Sequence, residues 1–245
     1  MTDSPLSLVL WDIDRTLLYV GNVDRQVYRE AFFEVVGRPA ERLPARGTGV
    51  TMPLAIRSLL RENGVAASEV PHLLPRMVDL LPKRLADHMA DLRNEGVLMP
   101  GAVAALRAVH TRIGLVPTVV TGNLKPNAIL KLEAFELDRF VDVEIGGYAS
   151  DDDNRPALVA TAQQRARAKH GTTFDRSNTV IIGDSLEDVR TGLEGGAAVI
   201  AVASGATPAT ALQRAGANVV LDGLTDTHRL MDAISEAPLG RYQSR

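Results

Sequence analysis

The sequence predicts an α/β fold: a Rossmann-like, doubly wound parallel sheet interrupted by an all-helical insert. Three observations predict it. Short apolar runs recur at 6–11, 115–121, 141–146, 179–183, 197–203 and 218–221, each of a length that suits a buried strand better than a helix. Between the later runs lie helical patterns at 102–112, 125–135, 157–169, 186–194 and 208–215; strands alternating with crossover helices give a parallel sheet covered on both faces. From 20 to 98 the apolar spacing is helical throughout and no strand-like run interrupts it.

The first run, Leu6 to Trp11, stops at Asp12. In the insert, Tyr28, Ala31, Phe32 and Val35 share one helical face, and Met52, Ile56, Leu59 and Leu60 share another. A third passes through Leu74, Met77, Val78, Leu81, Leu85, Met89 and Leu92, with Pro82 expected to kink it and His88 expected on its apolar side. Met99-Pro100-Gly101 returns the chain to the sheet. The expected division is therefore a core of residues 1–19 and 99–245 and a helical subdomain of residues 20–98, with a loosely held tail from Glu236.

Composition narrows the function classes. The chain has 245 residues, 45% of them hydrophobic and 23% charged, which is ordinary for a globular domain. A net charge of -3 offers no basic field for nucleic acid or an anionic membrane. The absence of cysteine removes disulfides, thiolate nucleophiles and cysteine metal sites. The first residues, Met-Thr-Asp-Ser-Pro, do not read as a signal peptide, and no apolar run approaches 18 residues, so a cytoplasmic location is the expectation. Nothing in the sequence sets the oligomeric state.

The residues that can carry chemistry stand at strand ends, where open α/β sheets place their ligands. Asp12-Ile13-Asp14-Arg15-Thr16 follows the first strand, and in extended backbone Asp12 and Asp14 point the same way. Gly183-Asp184-Ser185-Leu186-Glu187-Asp188 follows another. Several carboxylates gathered at strand ends suit Mg²⁺, a hard ion that takes oxygen ligands. The run Leu115 to Val120 leads into Thr121-Gly122-Asn123 just before a helix, where a hydroxyl and free backbone N–H groups would form an anion site. Asp151-Asp152-Asp153 reads as a solvated charge run, and the five histidines lack ligand spacing. Gly-x-Ser-x-Gly, Walker and Gly-x-Gly-x-x-Gly motifs do not occur.

Together these motifs resemble the haloacid dehalogenase superfamily in its phosphatase branch. Asp12, Asp14 and Thr16 match its first motif, Thr121 its second, and Gly183, Asp184 and Asp188 its fourth. The helical insert is similar to the alpha-helical cap of phosphoglycolate-phosphatase-like members. The resemblance implies a Mg²⁺-dependent phosphatase for a small phosphorylated metabolite. Asp12 would be the nucleophile, forming an aspartyl-phosphate, and Asp14 the general acid and base. Mg²⁺ would be held by Asp12, Asp184 and the Asp14 carbonyl, with Asp188 in support directly or through water. Thr121 and the N–H groups of Gly122 and Asn123 would hold the phosphoryl oxygens.

The sequence departs from the pattern at three places. Where the family has a third-motif Lys, the best match is Arg155, preferred here over Lys125 and over Lys131, which lies farther down its helix. Arg15 stands where relatives have Gly, at a cost of about 1 kcal/mol if that position needs positive φ. Gly49-Val50-Thr51-Met52 replaces a Gly-Arg-Thr-Asp of many relatives, so a cap charge is missing, which counts against phosphoglycolate as substrate. A phosphomutase, or a member that binds phospho-ligands without efficient turnover, are the alternative functions the residues leave open.

Overall fold

The computed structural model describes residues 6–45 and 49–239; the amino-terminal five residues and the end of the tail lie outside them. The elements run β1 (Ser7–Trp11), β2 (Leu18–Tyr19), α1 (Gly21–Val36), α2 (Met52–Glu62), α3 (Val70–Asp87), α4 (Met89–Glu95), β3 (Val97–Leu98), α5 (Ala102–Thr111), β4 (Leu115–Thr121), α6 (Lys125–Ala134), β5 (Gly147–Tyr148), α7 (Ala157–His170), β6 (Thr179–Gly183), α8 (Leu186–Gly195), β7 (Ala198–Val202), α9 (Ala209–Arg214), β8 (Val219–Leu221) and α10 (Thr227–Glu236).

Six strands form a parallel sheet in the order β5-β4-β1-β6-β7-β8. Strand β1 is central because both its faces are apolar. Leu8 and Leu10 enter the buried cluster shared with α7, α8 and α9, while Val9 and Trp11 enter the one shared with α5, α6 and α10. The period-two alternation thus serves two cores at once. Pairing of Trp11 with Ile182 and with Val119 brings the ends of β1, β4 and β6 level. The chain reverses direction across the sheet between β5 and β6, so the crevice outside β1 and β6 is the topological switch point.

The insert packs because its apolar stripes face one another. Val23, Val27, Ala31 and Phe32 of α1, Ile56, Leu59 and Leu60 of α2, and Met77, Leu81 and Leu85 of α3 are buried. They join the same cluster as Leu124, Ala128 and Leu132, beside and within α6 of the core, so apolar burial continues from the sheet into the insert. Helix α3 runs unbroken through Pro75 and Pro82.

Three sequence expectations are corrected. Residues 141–146 are not a strand; the strand lies just beyond, at Gly147–Tyr148. There α7 packs so closely that a side chain on Gly147 would run into the backbone of Leu158. The 20–98 region is not wholly helical, since Val97–Leu98 pairs antiparallel with Leu18–Tyr19 in a two-residue ribbon at the insert's base. His88 is no apolar-face residue: its two ring nitrogens meet Glu30 at 2.9 Å and Asp91 at 2.7 Å, bracing α1 against the start of α4.

Candidate active site

Asp12 and Asp184 leave adjacent strands at the switch point. The backbone N–H of Asp12 donates to the carbonyl of Ile182 (2.9 Å), locking the first acidic loop to β6. The Oγ1 of Thr16 reaches both Asp12 (3.4 Å) and Asp184 (3.3 Å). Asp188 returns toward the same point from the first turn of α8, where it and Ser185 form a reciprocal cap: each side chain accepts the other's backbone N–H. Gly183 makes this possible, because a Cβ there would occupy the space of the Asp188 carboxyl. The result is a cluster of Asp12, Asp184 and Asp188, each buried, each offering an oxygen within 4.8 Å of the others.

Arg155, buried to 1% exposure, is the cation of this cluster. Its guanidinium donates to Asp12 at 2.6 Å and to Asp188, while its Nε has no partner among the described residues. One bonded guanidinium, with Arg15 acting on Asp184 from farther off, against three carboxylates leaves an excess of negative charge out of water. Accordingly, burial and the neighbouring Asp188 push the Asp12 carboxyl well above the usual carboxylate range despite Arg155, and burial and Asp188 push Asp184 up to about 7. Hard oxygen donors with an unbalanced charge fit a divalent cation. Asp12 and Asp184 are the better placed to hold it, since one Asp188 oxygen is occupied by the Ser185 cap and the other by Arg155.

Asp14 faces the other way, toward a residue that its place in the sequence does not favour. Lys131 is buried to 1% exposure, and its ammonium meets Asp14 at 2.8 Å, Asp24 of α1 at 2.9 Å and the Asn123 carbonyl oxygen at 3.0 Å. Burial opposes its charge, but Asp14 and Asp24 more than compensate and hold the ammonium protonated. The expectation that Lys131 lies too far down its helix is therefore corrected: two turns of α6 carry it back along the pocket wall. Lys125, by contrast, pairs with Glu144 (2.9 Å) over the ring of Tyr148.

Thr121 and Asn123 sit beside Asp14. The Asn123 amide donates to Asp14 (2.7 Å) and to Thr121 Oγ1 (2.8 Å). The supposed free N–H groups at the start of α6 are largely engaged: Asn123 N–H on Thr121, Leu124 N–H on the Met52 sulfur and Lys125 N–H on Ser150. Gly122 is where core and insert meet, its carbonyl accepting the Met52 N–H (2.8 Å), and a Cβ on it would come to 2.7 Å of the Val50 carbonyl oxygen. Asp151, Asp152 and Asp153 disperse: the first pairs with Arg165, the second caps Asn154 and the third meets Arg57.

Of these residues, Asp12, Asp14, Thr121, Asn123, Lys131, Arg155 and Asp184 line one cavity of about 160 Å³ between the strand ends and the insert. Asp24, Arg25 and Tyr28 of α1, together with Arg15 and Tyr19, form its outer wall. Sequence reasoning missed all three α1 residues as site residues. Asp24 and Arg25 are ordinary charges on a helix, and the spacing puts Tyr28 on an apolar face. Arg15 does adopt positive φ, at 66°.

The family assignment rests on sequence. The profile described as HAD, haloacid dehalogenase-like hydrolase, matches residues 9–192, and the chain belongs to that family and is a hydrolase. No curated protein matches it. Among solved structures it is similar to a predicted phosphatase from Clostridium acetobutylicum, at 18% identity and TM-score 0.67 over 93% of this chain and 99% of that one. It is likewise similar to a hydrolase from Pseudomonas syringae, at 21% identity and TM-score 0.63 over 94% and 99%. A third is a HAD family hydrolase from Deinococcus radiodurans with bound phosphate and sodium, at 22% identity and TM-score 0.54 over 97% and 98%. These likenesses establish the fold. Among the described residues no helix is long and apolar enough to cross a membrane.

Four outcomes follow from the electrostatics and the backbone. Replacing Lys131 with Met leaves Asp14 and Asp24 facing each other; urea unfolding should show a loss of roughly 1–3 kcal/mol, below that of a fully buried pair because both carboxylates retain water contact. Asp24→Asn should then cost less in the Lys131→Met background than alone, and strict additivity would deny the coupling. Arg15→Gly should raise the thermal midpoint by roughly 2–4 °C by removing left-handed strain. Finally, Asp184 in the folded chain binds a proton between pH 3.8 and about 7, where an unfolded aspartate does not, so metal-free stability falls as pH rises through that window. In EDTA the thermal midpoint should drop from pH 5 to pH 8, less so in Asp184→Asn, and Mg²⁺ should restore more at pH 8 than at pH 5.

Proposed function

We propose that this hydrolase is a Mg²⁺-dependent phosphatase of small phosphorylated metabolites that works through an aspartyl-phosphate on Asp12. The observation that carries the reading is the meeting of Asp12, Asp184 and Thr121, from three strand ends, around a cavity whose volume is that of roughly ten ordered waters. A cavity of that size, roofed by the insert, suits a small molecule rather than a polymer.

Asp12 is assigned as the nucleophile because it ends the central strand beside Arg155 and the acid cluster; Arg155 opposes, without cancelling, the burial and acidic neighbours that favour its protonated form, and a bound Mg²⁺ would complete the shift to the carboxylate. Its oxygen attacks phosphorus while the bond to the leaving alcohol oxygen breaks, and Asp14 gives that oxygen its proton. Asp14 then takes a proton from the water that attacks the phosphoryl group, which leaves as phosphate and returns Asp12 as a free carboxylate. Lys131 and Asn123 hold the Asp14 carboxyl in place for both transfers. Thr121 Oγ1, the Gly122 N–H and the unpaired Nε of Arg155 are the donors available to the phosphoryl oxygens. Mg²⁺, held by Asp12, Asp184 and the Asp14 carbonyl with Asp188 in support, would supply the positive charge that lets an anionic nucleophile approach an anionic phosphate. That the similar HAD family hydrolase from Deinococcus radiodurans holds bound phosphate supports a phosphoryl ligand for this chain.

The test is phosphate release from p-nitrophenyl phosphate. Activity should require Mg²⁺, disappear in EDTA and fall at least about 10³-fold in Asp12→Asn. In Asp14→Asn, alkyl phosphates should lose roughly 10²–10⁴-fold, and p-nitrophenyl phosphate less, since nitrophenolate leaves without a proton. Undiminished turnover in Asp12→Asn would remove Asp12 from its role.

A further inference from the structure

Among the cations that line the cavity, Arg155 is committed to Asp12 and Asp188, Lys131 to Asp14, Asp24 and Asn123, and Arg25 donates to the Pro44 carbonyl at 3.3 Å. The Arg15 guanidinium differs. No carboxylate of the described residues lies within ion-pair distance of it, although its charge is felt at Asp184. It rests instead on the face of Tyr19, 4.5 Å from the ring centroid, in the outer wall of the cavity.

Its backbone is held in the conformation that aims it there. The Arg15 N–H donates to the Leu18 carbonyl at 2.6 Å, and its own carbonyl accepts the Ser204 hydroxyl at 2.9 Å. These bonds fix φ at 66°, a left-handed setting that a non-glycine residue adopts at a cost, and such outliers concentrate at functional sites. Arg15 also follows Asp14 directly. In the catalytic reading above, Asp14 meets the leaving-group oxygen, and Arg15 lines the same cavity. A guanidinium backed by an aromatic face and open toward the cavity is a forked donor matched to a carboxylate or a phosphate.

We propose that Arg15 recognises a second oxyanion on the alcohol portion of the substrate, so that the preferred phosphomonoester carries a carboxylate or a further phosphate besides the group removed. The proposal rests on the phosphatase reading and assigns to the core loop, through Arg15, the charge that selects the leaving group.

The test is kcat/KM with Mg²⁺ for two matched pairs: 3-phosphoglycerate against glycerol 3-phosphate, and glucose 1,6-bisphosphate against glucose 6-phosphate. The wild-type chain should favour the anion-bearing member of at least one pair, and which pair responds tells carboxylate from phosphate. In Arg15→Met that preference should fall roughly 10- to 100-fold, chiefly through KM, and Arg15→Lys should keep part of it. Arg15→Gly serves as the second variant should Arg15→Met fail to fold. Arg15 also lies in the field of Asp184; if it merely balances that acid, all four substrates will weaken together and the ratios will stay constant, which overturns the proposal. Turnover of p-nitrophenyl phosphate with no preference for either anion-bearing probe overturns it too, and leaves the phosphatase reading intact. If the wild-type chain hydrolyses no phosphomonoester at all, both readings fall.

Discussion

At the carboxyl edge of the sheet, negative charge is buried in excess of its counter-charge, and the surrounding structure is arranged around making that tolerable. Asp12, Asp184 and Asp188 converge out of contact with bulk water; Arg155 pairs with Asp12 and Asp188, and Arg15 acts on Asp184 only from beyond ion-pair distance. Separating carboxylates is the cheaper arrangement for a chain that has only to fold, because desolvated like charges raise one another's proton affinity. Here each acid is instead pinned: Asp12 by a backbone bond to β6, Asp188 by the Ser185 cap, and Asp184 by Thr16. Charge held under such constraint is suited to a cationic ligand that offsets it.

A second charged cluster stands across the cavity from the first. Lys131 reaches from α6 to Asp14 in the core loop and to Asp24 in the insert, so one ammonium spans the boundary between the two parts of the fold. On the proposed mechanism the two clusters divide the labour of a displacement reaction: one would surround the attacking group, and the other would fix the group that manages the leaving group's proton. Their separation also explains why Asp12 and Asp14, two residues apart, have such different neighbours: the strand has ended, and the loop turns Asp14 away toward α6.

Much of this was legible in the sequence, for identifiable reasons. The strand ends at Asp12, Thr121 and Asp184 announce themselves because a run of fully buried residues halts at a polar one, and the short, wholly apolar run before Asp12 marks β1 as a strand buried on both faces. Helix faces in α2 and α3 follow from spacing alone. What escaped notice depended on contacts between distant segments. The alternation cannot tell that Gly147 rather than the apolar residues before it pairs with β4, because the cause is α7 pressing on its backbone. Lys131 looks like a surface charge until α1 delivers Asp24 to it, and His88 looks apolar by position until Glu30 and Asp91 are brought to its ring. The N–H groups ahead of α6 read as free until the insert supplies Met52 and the 147–151 segment supplies Ser150.

Helix α1 carries two sets of residues on adjoining faces: Val23, Val27 and Ala31 are packed against the rest of the chain, while Asp24, Arg25 and Tyr28 look into the cavity. The interleaving separates what the helix must keep in order to exist from what it presents to visiting molecules. Exchanging the second set redraws the outline of the chamber while the first still anchors the helix. A lineage carrying this scaffold can thus change diet by small steps along a single turn or two of one helix, with the chemistry at the strand ends left as it was.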